Sequence, residues 1–149
     1  MKKMISTLLV FGAVAAIAAP AQARNTKVML PLAEAMTEND AQSRLGSDVK
    51  FYFAGQAAPK VLQKLGTDKT SQKTNAFGKS DAKACNWAFL SAMLRLQGRA
   101  RELGANAVVN IVSNYDNVEF ASATEYECHA GAMMAGVALK GDFVKVPAE

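Results

Sequence analysis

The chain has 149 residues and a formal net charge of +4 at pH 7, and half of its residues are hydrophobic. Its basic residues are spread along the sequence, whereas nucleic-acid-binding proteins concentrate them on one face, so we expect no nucleic-acid partner. This length is typical of one domain with a single core and does not suffice for two.

The first 23 residues have the pattern of a cleaved secretory signal peptide. Two lysines precede an apolar run over 4–19, and Pro20 ends that run before Ala21-Gln22-Ala23. Removing them leaves one domain, 24–149, of 126 residues and net charge +2. No cysteine near the cut could carry a lipid, so we expect a periplasmic or secreted protein that is not anchored to the membrane after cleavage.

Short elements are predicted in the first part of the domain. In chain order they are an extended segment at 27–31, a helical turn at 32–36, a helix at 40–45 and a strand at 49–53. Thr37 or Asn39 is the expected cap of the short helix, and Gly46 ends it. The polar segment 61–74 reads either as a solvated loop or as a half-exposed strand, and its threonines favour the strand.

The clearest element is a helix over 81–103, capped by Ser80 or Asp81 and ended by Gly104. Its apolar residues recur every three or four positions and form one stripe, Cys85, Phe89, Ala92, Leu96, Ala100 and Leu103. Trp87, Leu90 and Leu94 widen this stripe beyond what one sheet face needs. Trp87 is either a core or helix-flank residue or a ligand platform or subunit contact. All three are candidate interface residues, and the expected partner is a second copy or an envelope protein.

Beyond the helix the pattern predicts further strands, at 107–115, 120–130, 133–139 and 143–146. Asp116-Asn117 and Gly141-Asp142 are expected to be turns between them. Met133 and Met134 are interpreted as core-filling residues, one facing in and one out. Together these elements predict an α+β fold, in which one long helix packs on a mostly antiparallel sheet and short helices lie near the N-terminus.

Cys85 and Cys128, the only cysteines, are 43 residues apart. In an oxidising compartment two cysteines of a small domain most often form a disulfide, which we expect here. A metal-binding thiol pair and free thiols are the alternatives.

The sole histidine, His129, lies where alternate residues of a strand share a face. Glu125, Glu127 and His129 are then expected on the outer face, while Cys128 faces the core. The three outer residues form either the polar surface of an antiparallel strand or a divalent-metal site. We expect no other cofactor.

Catalytic signals are weak. The chain offers Ser91, Ser113 and Ser122 as nucleophiles and His129 as a base, but no Gly-x-Ser-x-Gly elbow. We therefore expect a non-enzymatic structural or binding protein of unknown ligand, with a metal-binding protein and a small hydrolase as alternatives.

Residues 101–109, Arg-Glu-Leu-Gly-Ala-Asn-Ala-Val-Val, resemble the helix-to-strand join of a small α+β family. That family includes the cytoplasmic YbjQ-like proteins, often labelled heavy-metal-binding, and the Rcs phosphorelay sensor lipoprotein of the outer membrane. A later glycine–small–valine stretch of the family is matched by 135–139. The sensor has an anchor cysteine and two disulfides that this chain lacks, so its signalling role does not carry over.

The whole chain also resembles a group of small exported proteobacterial proteins, through the segments 73–79 and 127–131. Some of those proteins carry an excinuclease ATPase label. This chain has no glycine-rich phosphate loop with P-loop spacing and no zinc-finger cysteine pairs, so we expect it not to bind ATP.

Overall fold

The computed structural model describes residues 23–149, so the predicted signal peptide lies almost wholly outside the described residues. In chain order the elements are β1 (Thr26–Pro31), α1 (Leu32–Ala35), α2 (Ala41–Leu45), β2 (Lys50–Phe53), β3 (Gln63–Asn75), α3 (Asp81–Leu103), β4 (Ala107–Ser113), β5 (Glu125–Ala130) and β6 (Met134–Lys145). Two 3-10 turns, Glu38–Asp40 and Tyr115–Asn117, precede α2 and follow β4.

The long strand β6 organises the sheet. Antiparallel β3 pairs with one edge of β6 along its whole length. On the other edge β5 pairs with the start of β6 and β4 with its end, both antiparallel. Outside them, β1 is antiparallel to β5 and β2 is parallel to β4. The predicted α+β class is confirmed, and so is the strand in the polar segment that became β3.

Helix α3 packs across β3 and β6 and supplies much of the core. Ser80 Oγ accepts a hydrogen bond from the Lys83 amide at 3.2 Å, and Gly104 ends the helix with a φ of 72°. That positive φ suits glycine, which has no side chain to clash. Both predicted ends of α3 are therefore confirmed. No helix within residues 23–149 combines the length and apolarity needed to cross a membrane.

The wide apolar surface of α3 is explained by the N-terminal helices, because α1 and α2 pack against it. Leu90 is only 1% exposed, so its prediction as an interface residue is wrong: it belongs to the core. Trp87 and Leu94 are half-buried against the same core. The Arg44 guanidinium lies 5.6 Å from the centre of the Trp87 ring and covers part of it.

A hydrogen bond also joins α2 to α3, because Gln97 Nε2 donates to the Leu45 carbonyl.

The expected turn at Gly141-Asp142 is wrong, because both residues lie inside β6. A Cβ atom on Gly141 would lie 2.7 Å from Val108 Cγ1, so the glycine permits close packing of β4 against β6. Asp142 accepts a 2.6 Å hydrogen bond from Thr67 Oγ1 on β3. The two residues are thus used for strand contacts and not for chain reversal.

The expected cap of α2 is also wrong. Thr37 Oγ1 donates to the Glu34 carbonyl instead, and the residue before the helix, Asp40, makes no side-chain capping bond. Two strands are shorter than predicted: β4 ends at Ser113 and β5 begins at Glu125. The intervening chain forms the 3-10 turn and a loop.

Candidate functional site

His129 sits on β5 with its ring stacked on Tyr115. The ring centroids are 3.5 Å apart and the planes differ by 8°. His129 Nδ1 lies 3.1 Å from Asn25 Oδ1, and Nε2 lies 3.4 Å from Glu127 Oε2. Asn25, Glu127 and Tyr115 therefore surround the imidazole on three sides.

Glu127 is the buried acidic partner of this group, with 8% of its side chain exposed. Lys27 on β1 pairs in register with His129 and places Nζ 3.0 Å from Glu127 Oε1. The Glu127 amide donates to Ser113 Oγ at 2.9 Å. Lys27 is the cation that offsets the burial of this carboxylate, because desolvation of an isolated charge is costly.

The expectation of an open outer face on β5 is therefore wrong for Glu127 and His129. The turn that follows β4 folds over this face and lays Tyr115 on the imidazole. Glu125 alone stays exposed, at the first position of β5 and beside Pro31 of β1. Along β5, Glu125 is two residues from Glu127, which corresponds to a separation of roughly 7 Å.

As metal ligands, Glu125, Glu127 and His129 stay a prediction. The structure brings Glu127 and His129 together, but their facing atoms already contact each other. Among residues 23–149, no three His, Cys, Asp or Glu side chains are grouped closely enough to hold a metal ion.

A disulfide joins Cys85 of α3 to Cys128 of β5, with 5.9 Å between the two Cα atoms. Both residues are fully buried, so Cys128 faces the core as alternation along the strand predicts. A structural disulfide is typical of proteins outside the reducing cytoplasm. The bond also fixes β5, and therefore His129, against the helix.

The start of the domain is tied to the same region by Arg24. Its guanidinium donates to both carboxylate oxygens of Asp81, at 2.8 and 3.0 Å, and to the Gly131 carbonyl at 3.0 Å. Hydrogen bonding from Arg24 lowers the pKa of Asp81 below its ordinary value. A Cβ on Gly131 would lie 2.9 Å from the Arg24 carbonyl oxygen, so this position accepts only glycine without rearrangement.

Above the stacked pair lies a mainly apolar cavity of about 310 Å³. We call it the His129 cavity, and its defining residues are Lys73, Tyr115, His129, Met133, Met134 and Gly136. Met133 and Met134 are 61% and 48% exposed, so their interpretation as core-filling residues is wrong. They precede and begin β6, where the chain emerges from the turn after β5.

Gly136 keeps the floor of the His129 cavity open. It pairs with His129 across β5 and β6, and a Cβ atom there would lie 3.7 Å from both Tyr115 Cε2 and Lys73 Cγ. A side chain at 136 would therefore occupy the cavity without colliding at its first atom. Lys73 stands exposed at the rim, and its ammonium forms no ion pair with any residue in 23–149.

Two other grooves are less suited to a ligand. Between β3 and α3, Arg99 already pairs with Asp68 and Glu102. In the apolar groove that Phe51 and Phe53 line, Gln56 binds the Phe53 amide and the Ala123 carbonyl. Since these polar groups are satisfied within the protein, the His129 cavity is the stronger candidate.

The sequence indicated His129 and Glu127 through their spacing but missed Tyr115, Lys73 and the methionine rim. Two consecutive methionines between Gly131 and Gly136 are the sequence signal for an exposed apolar rim. Apolar residues in a glycine-rich turn have few core residues to pack against.

Compared with known proteins, the chain matches no family model and no curated protein.

Proposed function

We propose that this chain is a non-enzymatic periplasmic binding protein, and that its ligand is a small organic anion with an apolar body. The His129 cavity carries the proposal. Its volume of about 310 Å³ falls at the lower end of the range for ligand pockets, and its walls are mainly apolar. Lys73 lines this cavity and has no ion-pair partner among residues 23–149, so its positive charge can complement an anionic group.

Two further observations support this choice over a hydrolase. The ring nitrogens of His129 face Asn25 and Glu127, at 3.1 and 3.4 Å, whereas a general base needs one nitrogen facing a nucleophile. Ser91 donates to the Trp87 carbonyl, and Ser122 accepts from the Glu125 amide. The Ser113 hydroxyl is held by the Glu127 amide. The predicted leader and the disulfide support the periplasm.

Dye binding tests the proposal. Anilinonaphthalene sulfonate has an apolar aromatic body and one anionic group, and N-phenylnaphthylamine is its neutral counterpart. We expect the exported protein to bind the sulfonate at one site, and Gly136→Val to weaken that binding roughly tenfold by filling the cavity. Gly98→Ala, on α3 where an added Cβ meets nothing within 4 Å, is the matched control. Equal binding by the Gly136→Val protein would contradict the proposal.

The charge at the rim has its own test. Lys73→Gln should weaken sulfonate binding by roughly threefold, the scale of one exposed ionic contact, and leave the neutral dye unaffected. Lys50→Gln, on the distant strand β2, is the control and should change neither. An equal loss for both dyes would mean that the charge of Lys73 does not select the ligand.

A second candidate function, divalent-metal binding, is favoured by the 3.4 Å approach of His129 Nε2 to Glu127 Oε2. Binding there would require Lys27 to leave Glu127 and Glu125 to turn inward. Elemental analysis of the protein from its native compartment tests it. Stoichiometric zinc or copper that His129→Ala abolishes would support the metal site. The resemblance of residues 101–109 to the YbjQ-like proteins also favours it.

A further inference from the structure

Methionine exposure differs sharply within the described part of the chain. Met93 is fully buried in α3, and Met29 and Met36 are partly buried. Met133 and Met134 are the two that stand largely in solvent, and both line the His129 cavity. Accessible thioethers are the ones that oxidants reach first.

We propose that Met133 and Met134 form an oxidation-sensitive rim, and that their conversion to sulfoxides by hypochlorous acid weakens ligand binding in the His129 cavity. This inference rests on the proposed function, because it describes the regulation of that same site.

The chemistry needs only the oxidant and water. The thioether sulfur donates an electron pair to the chlorine of hypochlorous acid, and hydroxide leaves. Water then adds to sulfur, and chloride departs with loss of protons. In sum, sulfur gains one oxygen and loses two electrons, while chlorine gains two electrons and leaves as chloride with one proton released. The product is a polar sulfoxide in place of an apolar thioether.

The location of the two residues connects this chemistry to the cavity. Met134 lies two residues before Gly136 on β6, so its side chain is on the same face as that glycine and its partner His129. The Gly131 amide donates to the Met134 carbonyl, and the Ala76 amide donates to the Met133 carbonyl, each at 2.8 Å. The backbone of the rim is therefore fixed, and a change in side-chain polarity acts directly on the cavity wall.

A sulfoxide that is covered by the apolar body of a ligand loses its hydration without gaining a partner. We expect the dissociation constant for anilinonaphthalene sulfonate to rise roughly tenfold when both residues are oxidised. Oxidation should leave the fold intact, because both side chains lie outside the core.

Limited treatment of the exported protein with hypochlorous acid tests the order of oxidation. After reduction, trypsin releases Met133 and Met134 in the peptide 102–140 and Met93 in the peptide 84–95. We expect the first peptide to gain one and then two oxygens before the second gains any. Oxidation of Met93 at the same dose would overturn the inference.

Two variants connect oxidation to binding. The double change Met133→Leu with Met134→Leu keeps an apolar rim, so it should bind the dye normally and resist the oxidant. The double change Met133→Gln with Met134→Gln imitates the polar product and should bind weakly without oxidant. Unchanged binding by oxidised wild-type protein overturns this inference alone, whereas no dye binding before oxidation overturns the proposed function as well.

Discussion

Tyr126 donates a hydrogen bond from its phenol to Asn86 Oδ1 at 2.6 Å, across the core between β5 and α3. Asn86 Nδ2 in turn lies 3.5 Å from Glu34 Oε1 on α1. Burial, aided by the charge of Glu34, raises the pKa of Tyr126, so the phenol keeps the proton that it donates. The same helix turn and the same strand are joined covalently by Cys85 and Cys128, so a polar and a covalent link lie side by side.

Replacing Tyr126 with Phe should therefore destabilise the protein by about 1–3 kcal/mol, because Asn86 Oδ1 would stay buried without its donor. Urea unfolding of wild type and variant measures the difference. Tyr52→Phe is the matched control, since Tyr52 is half-buried and makes no side-chain hydrogen bond within residues 23–149, and it should shift stability by less than about 0.5 kcal/mol. Equal effects of the two changes would show that the buried bond contributes nothing.

The disulfide should contribute on the order of 4 kcal/mol, the chain-entropy value for residues separated by 43 positions. Replacing both cysteines with Ala keeps the buried sites apolar and isolates the loss of the crosslink. The urea midpoint of this double variant should fall and should no longer respond to reductant. If reductant is present during urea unfolding and the wild-type midpoint does not change, the Cys85–Cys128 disulfide is contradicted.

Gly141 illustrates a position at which one methyl group should be costly. Gly141→Ala would bring Cβ within 2.7 Å of Val108 Cγ1 and 3.2 Å of Ile111 Cγ1, so we expect a loss of about 1–3 kcal/mol. Gly98→Ala, the control, places its methyl in open space on α3 and should stabilise the helix by up to about 1 kcal/mol. Thermal unfolding of both proteins gives the comparison, and a neutral Gly141→Ala would show that β4 and β6 can separate without cost.

How much of this fold the sequence predicts depends on the range of the interactions involved. The bounds of α3 follow from local signals, the Ser80 cap and Gly104, and both are where the pattern places them. Cys128 faces the core because alternation on a strand is a local property as well. The environment of Gly141 comes from β4 and that of Leu90 from the N-terminal helices, so residues close to them in sequence do not predict it.

The candidate site divides in the same way. The spacing of Glu127 and His129 predicts that they share a face of β5, and the two side chains indeed meet. Local sequence patterns do not predict that Tyr115 and Lys73 lie beside His129. Tyr115 reaches His129 through a turn of the chain after β4, and Lys73 reaches the cavity only because β3 pairs with β6, where Lys73 lies opposite Gly136.

The Arg24–Asp81 pair should make stability depend on pH below the ordinary aspartate pKa of 3.8. Because Arg24 lowers the pKa of folded Asp81, the stabilisation is complete above the unfolded value and disappears as the pH falls through the folded one. Asp81→Asn should therefore unfold at lower urea than wild type near neutral pH, and this difference should vanish in acid. It should also shrink with added salt, since the pair is partly exposed. Glu149→Gln, at the exposed C-terminus, is the control. A urea difference for Asp81→Asn that persists unchanged in strong acid would show that the carboxylate charge is not its source.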